Sequence, residues 1–198
     1  GKRLREFSDC WAQRRLGSLF RERNDRGHAE LPLLSVTRHL GVVPHGEAND
    51  KDSSSEDKSN YKRILPGDIG YNTMRMWQGI SALSSLEGIV SPAYTVCVAG
   101  PSVDAPFASQ LFKFPPIVNL FFRYSQGLTS DTWNLKFRHF AQIMVEIPSL
   151  PEQKRIAAIL GTADQEIALL EKKLAALREL RKGLMQKLLA SQVWMEVI

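Results

Sequence analysis

The last quarter of the chain places apolar residues at alternating steps of three and four. They are Leu160, Ala163, Ile167, Leu170, Leu174, Leu177, Arg181, Leu184 and Leu188, with one charged member. That spacing keeps a single stripe on one side of a helix and is the pattern of knobs-into-holes pairing. Pro151 suits the first position of a helix, where its missing N–H has no intrahelical partner. Thr162 and Gln165 fit a capping box just after Gly161. The pattern therefore predicts a short helix at about 151–160, a kink, and a long helix at about 163–190. At 1.5 Å per residue the second piece is about 42 Å long. Its stripe must be covered either by its own domain or by a partner, most simply a second copy. Leu169, Ala176 and Leu180 widen the stripe on one flank, which suggests a further surface such as a partner subunit. Arg181 can set register at some cost in stability, and Gly183 weakens the helix by about 1 kcal/mol relative to Ala.

Upstream, the pattern is shorter and mixed. Trp11 to Leu16, Leu31 to Thr37, Tyr61 to Leu65, Ile69 to Asn72, Gly88 to Val90, Tyr94 to Val98 and Ile143 to Ile147 read as strands between Gly, Pro and Ser turns. Ser18 is a candidate cap for a turn of helix. Residues 105–124 read as helix interrupted at Pro115-Pro116, and Lys136 to Phe140 as a helical turn. Glu47 to Asn60 is polar and reads as loop. Pro148 and Pro151 mark a boundary. The expected organisation is α+β: a mixed globular domain over 1–150, followed by a helical region over 151–198.

Composition narrows the class. Hydrophobic residues make up 43% of the 198, enough for a core. No run of 18 apolar residues suggests a membrane span. Cys10 and Cys97 are too few and too isolated for a disulfide framework, which fits a reducing cytoplasm. The formal charge is +5. Lys113, Arg123, Lys136 and Arg138 interleave with aromatic residues over 112–140, against Asp131 alone. Such a stretch is compatible with nucleic acid and equally with simple solvation.

Ile147-Pro148-Ser149-Leu150-Pro151-Glu152-Gln153-Lys154-Arg155-Ile156-Ala157-Ala158-Ile159-Leu160 strongly resembles a boundary motif of one family. That family is the specificity subunit of type I restriction–modification systems, in which the motif joins a target-recognition domain to a helical region. Leu169-Leu170-Glu171-Lys172-Lys173 and Leu180 to Leu189 resemble the rest of that region. Trp11 with Arg15 to Phe20, Pro66 to Ile69, Met74 to Gly79 and Gly88 to Tyr94 resemble pieces of a recognition domain more loosely. The resemblance implies a non-catalytic DNA specificity protein without cofactors. Double-stranded DNA, modification subunits and, through them, restriction subunits are its implied partners. A full-length member has two domains and two helical regions, whereas this chain has one of each. It is thus half of a larger protein or a half-subunit that pairs with itself, antiparallel, or with another half.

Fragments that suggest catalysis lack their context. Asp52 with Glu56-Asp57-Lys58 has the letters of a nuclease set but lies in a polar loop. Ser91-Pro92-Ala93-Tyr94 approaches an amino-methyltransferase motif without its second Pro or a Gly-rich cofactor loop. His28, His39, His45 and His139 show no zinc spacing. For DNA, base edges require Arg, Asn and Gln, and register requires phosphate contacts. Three candidate surfaces follow: Asn72, Arg75, Trp77 and Gln78; Arg123, Tyr124, Gln126 and Thr129 with Lys136 and Arg138; and Arg38 with His39. Met74, Met76 and Trp77 are equally readable as core. The alternative function is a coiled-coil adaptor whose globular domain binds another protein.

Overall fold

The structure is a computed structural model that describes residues 4, 6–8, 10–38, 40–47, 57–129 and 132–193. His39, Asp52, Glu56 and Asp131 lie outside the described residues. The chain divides into two units, Gly1–Ala157 and Ala158–Ile198.

In the first unit the elements are β1 (Ala12–Arg15), α1 (Leu16–Leu19), β2 (Phe20–Glu22), β3 (Leu34–Val36), β4 (Val42–Pro44), β5 (Lys62–Ile64), β6 (Ile69–Asn72), β7 (Ser81–Leu83), β8 (Gly88–Val90), β9 (Tyr94–Ala99), α2 (Ala105–Leu111), α3 (Pro115–Tyr124), α4 (Phe137–Phe140) and β10 (Met144–Ile147), and α5 (Leu150–Val193) begins here. The fold is α+β. β2, β9, β6 and β7 form an antiparallel sheet in that order, and β1–β10, β3–β4 and β5–β8 are antiparallel pairs. Apolar residues of β2, β6 and β9 meet α2, α3 and α4 in the main core. At its centre Phe20, Tyr71, Phe112, Phe121 and Phe140 pack ring on ring at 5.4–6.0 Å. Geometry of this kind adds to burial for each aromatic pair. A smaller cluster, including Leu34, Val36, Val42, Ile64, Val90 and Val96, packs beneath the β3–β4 hairpin.

Several local expectations change. The helical stretch 105–124 is interrupted at 112–114, just before Pro115, and Pro115 opens the second piece: it stands at the first turn of α3, which begins after a Phe114 in extended conformation. Ser18 caps nothing, because its hydroxyl donates to the Arg15 carbonyl at 2.7 Å. β2, β4 and β7 were not anticipated. Each is three residues long, so none shows a period, and pairing defines them.

The helix is not broken at Gly161-Thr162 into a short and a long piece. α5 is one helix of 44 residues, and the Thr162 hydroxyl donates to the Ala158 carbonyl, four residues back, at 2.9 Å. A hydroxyl so bonded is satisfied inside a helix rather than at its start. The first turns of α5 belong to the globular unit. Glu152 and Gln153 are buried, and Ile156 and Ala157 pack against the main core. The Gln153 carboxamide is richly bonded: its Oε1 accepts from the Asp104 N–H at 2.9 Å, and its Nε2 donates to the Pro148 and Ser102 carbonyls at 3.0 and 3.2 Å. Trp11 Nε1 donates to the Glu152 carboxylate at 3.4 Å. The Glu-Gln of the boundary motif is thus a buried polar tie at the helix start, Gln153 to the loop before α2 and Glu152 to Trp11.

The second unit is the remainder of α5. From Ala158 to Leu189 every residue is exposed apart from the partly covered Gly161 and Gly183. The apolar seam is uncovered along its length, from Leu160 at 40% to Leu188 at 66%.

Candidate functional site

Three segments of the globular unit converge on a groove of about 370 Å³. One is the tip of the β3–β4 hairpin. Thr37 brackets it, donating through Oγ1 to the Gly41 carbonyl and accepting from the Leu40 N–H, both at 2.9 Å. Arg38 projects from this tip into the groove.

The second segment is the turn after β6. Asn72 Oδ1 accepts from the Met74 N–H at 3.0 Å, an Asx turn, and Thr73 is pinned to the Ala93 carbonyl through both N and Oγ1. A 3-10 turn over Met76–Gln78 follows and presents Trp77 and Gln78 to the groove. It ends on Gly79 at φ +76°, where a Cβ would meet Val118 Cγ2 at 3.0 Å. Glycine is needed there both for the left-handed backbone and for the close approach to α3.

α3 is the third segment. Ile117 and Phe121 are buried in the core, while Pro115, Val118, Asn119 and Phe122 recur at three, four and seven residues and line the groove. Lys113 lies just before the helix. Trp133 closes the aromatic side, edge-on to Trp77 at 5.3 Å and to Phe122 at 4.9 Å.

The lining holds two cations, Arg38 and Lys113, two carboxamides, Gln78 and Asn119, and no carboxylate. None of these four side chains makes a hydrogen bond or ion pair with another described residue. Anionic, hydrogen-bonding ligands suit such a lining; metal ions do not. Among the described residues no three His, Cys, Asp or Glu side chains cluster as a metal site would require. Burial pushes the Cys97 thiol well above its ordinary range, which keeps it protonated and unreactive, and pushes Tyr71 up likewise.

The structure sorts the sequence candidates. Arg38, Trp77 and Gln78, from two of the three expected surfaces, share the groove. Arg75 and Arg123 are exposed but do not line it. Asn72 is occupied in shaping its turn, and Trp77 Nε1 donates to the Met74 carbonyl at 3.0 Å, leaving its ring as a wall. Met76 is core, whereas Met74 is exposed. Tyr124 packs against the core. Gln126 and Thr129 belong to a loop closed by the Gln126–Asn134 bridge, where Gln126 Nε2 donates to the Tyr124 carbonyl at 3.3 Å and the Thr129 and Thr132 hydroxyls lie 3.3 Å apart. Lys136 precedes α4 and is exposed, and Arg138 Nε donates to His139 Nε2 at 3.0 Å. His39 lies outside the described residues. Lys113, Val118, Asn119 and Phe122 were missed as site residues. Their helical spacing after Pro115 was the available signal, hidden while Pro115-Pro116 read as an interruption.

Residues 117–179 match the family of the type I restriction modification DNA specificity domain. Solved structures share the fold at low identity. The S subunit of a type I system from M. genitalium aligns with a TM-score of 0.60 at 16% identity, over 93% of this chain and 47% of that one. The HsdS subunit from Thermoanaerobacter tengcongensis aligns at 0.53 and 15%, over 84% and 40%. A chain from a structural study of assembly and conformational transition in a type I system aligns at 0.63 and 17%, over 93% and 46%. The chain therefore spans about half the length of the solved chains it matches. The sequence match over 117–179 and the fold shared over most of the chain both lead to proteins of type I restriction–modification systems, which this chain resembles in one α+β domain and one long helix.

Proposed function

We infer that this chain is a DNA specificity module. Its α+β domain reads one short half-site in duplex DNA, and its helix pairs with a second helix, in a copy of itself or another half-subunit. Catalysis is left to modification and restriction subunits. The observation that carries this reading is the groove. Three separate segments bring together two cations and two carboxamides, with no carboxylate in the lining and no partner among the described residues. Cations suit phosphates, and carboxamides suit base edges.

The exposed seam supports the pairing, since an apolar stripe of this length is stable in water only when covered. The wider flank at Leu169, Ala176 and Leu180 suits a modification subunit. From Leu160 to Leu188 the seam is about 42 Å long, more than one DNA turn of about 34 Å. In the antiparallel arrangement that the resemblance implies, two domains read half-sites separated by an unread gap. In a homodimer the half-sites form an inverted repeat.

Selection from random duplex DNA tests this reading. The expected result is a gapped inverted repeat bound with steep salt dependence. One uninterrupted asymmetric site, or no duplex binding, overturns it. The adaptor reading draws on the exposed Phe114 and Phe122 beside and within the groove, and it expects no affinity for duplex DNA.

A further inference from the structure

We propose that the groove divides its labour: Asn119 and Gln78 choose the base, and Arg38 and Lys113 hold the backbone. This rests on the DNA reading above and deepens it. Asn119 projects from the middle of α3, on the face that Val118 and Phe122 share, and Gln78 comes from the turn packed against that helix. The scaffold behind both is rigid in its bonding. Phe121, on the inward face of α3, is fully buried, and the turn carrying Gln78 is tied through Thr73 to the Ala93 carbonyl. Side chains that discriminate must be held in place, and these two stand on a helix and on a fastened turn.

The cations differ in setting. Arg38 sits at a hairpin tip and Lys113 just before α3, both exposed. That position suits contacts to phosphates flanking the base pairs under the helix. A carboxamide offers one donor group and one acceptor, which matches the N6 and N7 edge of adenine. A carboxylate only accepts, and it matches the N4 amino group of cytosine. Trp77 and Phe122, braced by Trp133, give the groove an apolar wall against sugar or a thymine methyl group.

The test is selection of duplex sites by the intact chain and its variants, with melting curves for each. Asn119→Ala and Gln78→Ala are expected each to flatten preference at one A·T pair per half-site, a loss of about 5- to 150-fold in discrimination. Asn119→Asp and Gln78→Glu are expected to move preference at that same pair toward cytosine, an effect that simple loss of packing does not produce. Arg38→Ala and Lys113→Ala are expected to keep the selected sequence, weaken all sites alike, and reduce the salt slope by about 0.9 for each phosphate no longer neutralised. If the wild-type chain selects a site and the four carboxamide variants select the same one, the division of labour is wrong while the DNA reading stands. If the wild-type chain selects nothing, the DNA reading itself fails.

Discussion

Two residues carry more of this structure than their size suggests. Gln153 is itself buried and satisfies three backbone groups at once, one buried and two part-buried, and no apolar side chain replaces that. Gln153→Ala is expected to cost about 2–4 kcal/mol, read by denaturant unfolding, because it strands buried polar groups. Gln153→Glu is the sharper probe. Its carboxylate can still accept from the Asp104 N–H but meets two carbonyls where the amide donated. Burial among acceptors raises the folded pKa above the unfolded value of about 4.3, so the native state binds more protons and stability falls as pH rises. Melting temperature is expected to drop between pH 4 and pH 8, more than in the wild type; a flat difference would mean that the tie is not buried. Gly79 is the second. Gly79→Ala is expected to cost about 1–2 kcal/mol from its left-handed backbone and to push Val118 outward. Loss of DNA affinity beyond that expected from unfolding would show that the groove itself has opened.

At the scale of the element, the charges beside the seam suit the proposed antiparallel pairing better than a parallel one. With Leu174 and Leu177 as the central layer of an antiparallel pair, Glu171 faces the second copy's Arg178, Glu166 faces Lys187, and Arg181 shares a layer with Leu170 beside Glu171. A parallel in-register pair instead opposes Glu166 to Glu171 and Lys173 to Arg178, two like-charge pairs, which destabilise by a few tenths of a kcal/mol or more each. Glu171→Arg is therefore expected to weaken an antiparallel dimer, and Glu171→Arg with Arg178→Glu to restore it. A parallel dimer would be strengthened by the single change. Sedimentation across a concentration series reads both. Polar substitution of Leu170, Leu174 and Leu177 is expected to leave a folded monomer, because all three are exposed in the single chain and hold nothing else together.

At the scale of the whole molecule, reading and spacing are separate properties. On the proposed function, site preference depends on the groove, while the gap depends on the helix. Deleting one heptad, residues 171–177, from the seam keeps the apolar register and shortens it by about 10 Å. The selected half-sites are expected to stay the same and the gap to shrink by about three base pairs for each such length of spacer. A gap that did not change would separate the helix from the spacing role. Among the described residues no helix is long and apolar enough to cross a membrane.

Periodicity alone was enough for the long helix and its seam, since a stripe at steps of three and four needs no tertiary partner to be recognised. The strands β1, β3, β5, β6, β8, β9 and β10 were also legible, as short extended runs bounded by turn residues. Tertiary structure decided the rest. β2, β4 and β7 exist only through their neighbours' hydrogen bonds, and Thr162 bonds back into its helix rather than starting one. Above all it decided the groove. Arg38, Gln78, Lys113 and Asn119 come from three separate segments, and a one-dimensional pattern carries no distance between segments. Only packing of α3 on the Gly79 turn, with the hairpin tip alongside, brings their charges and amides to one place.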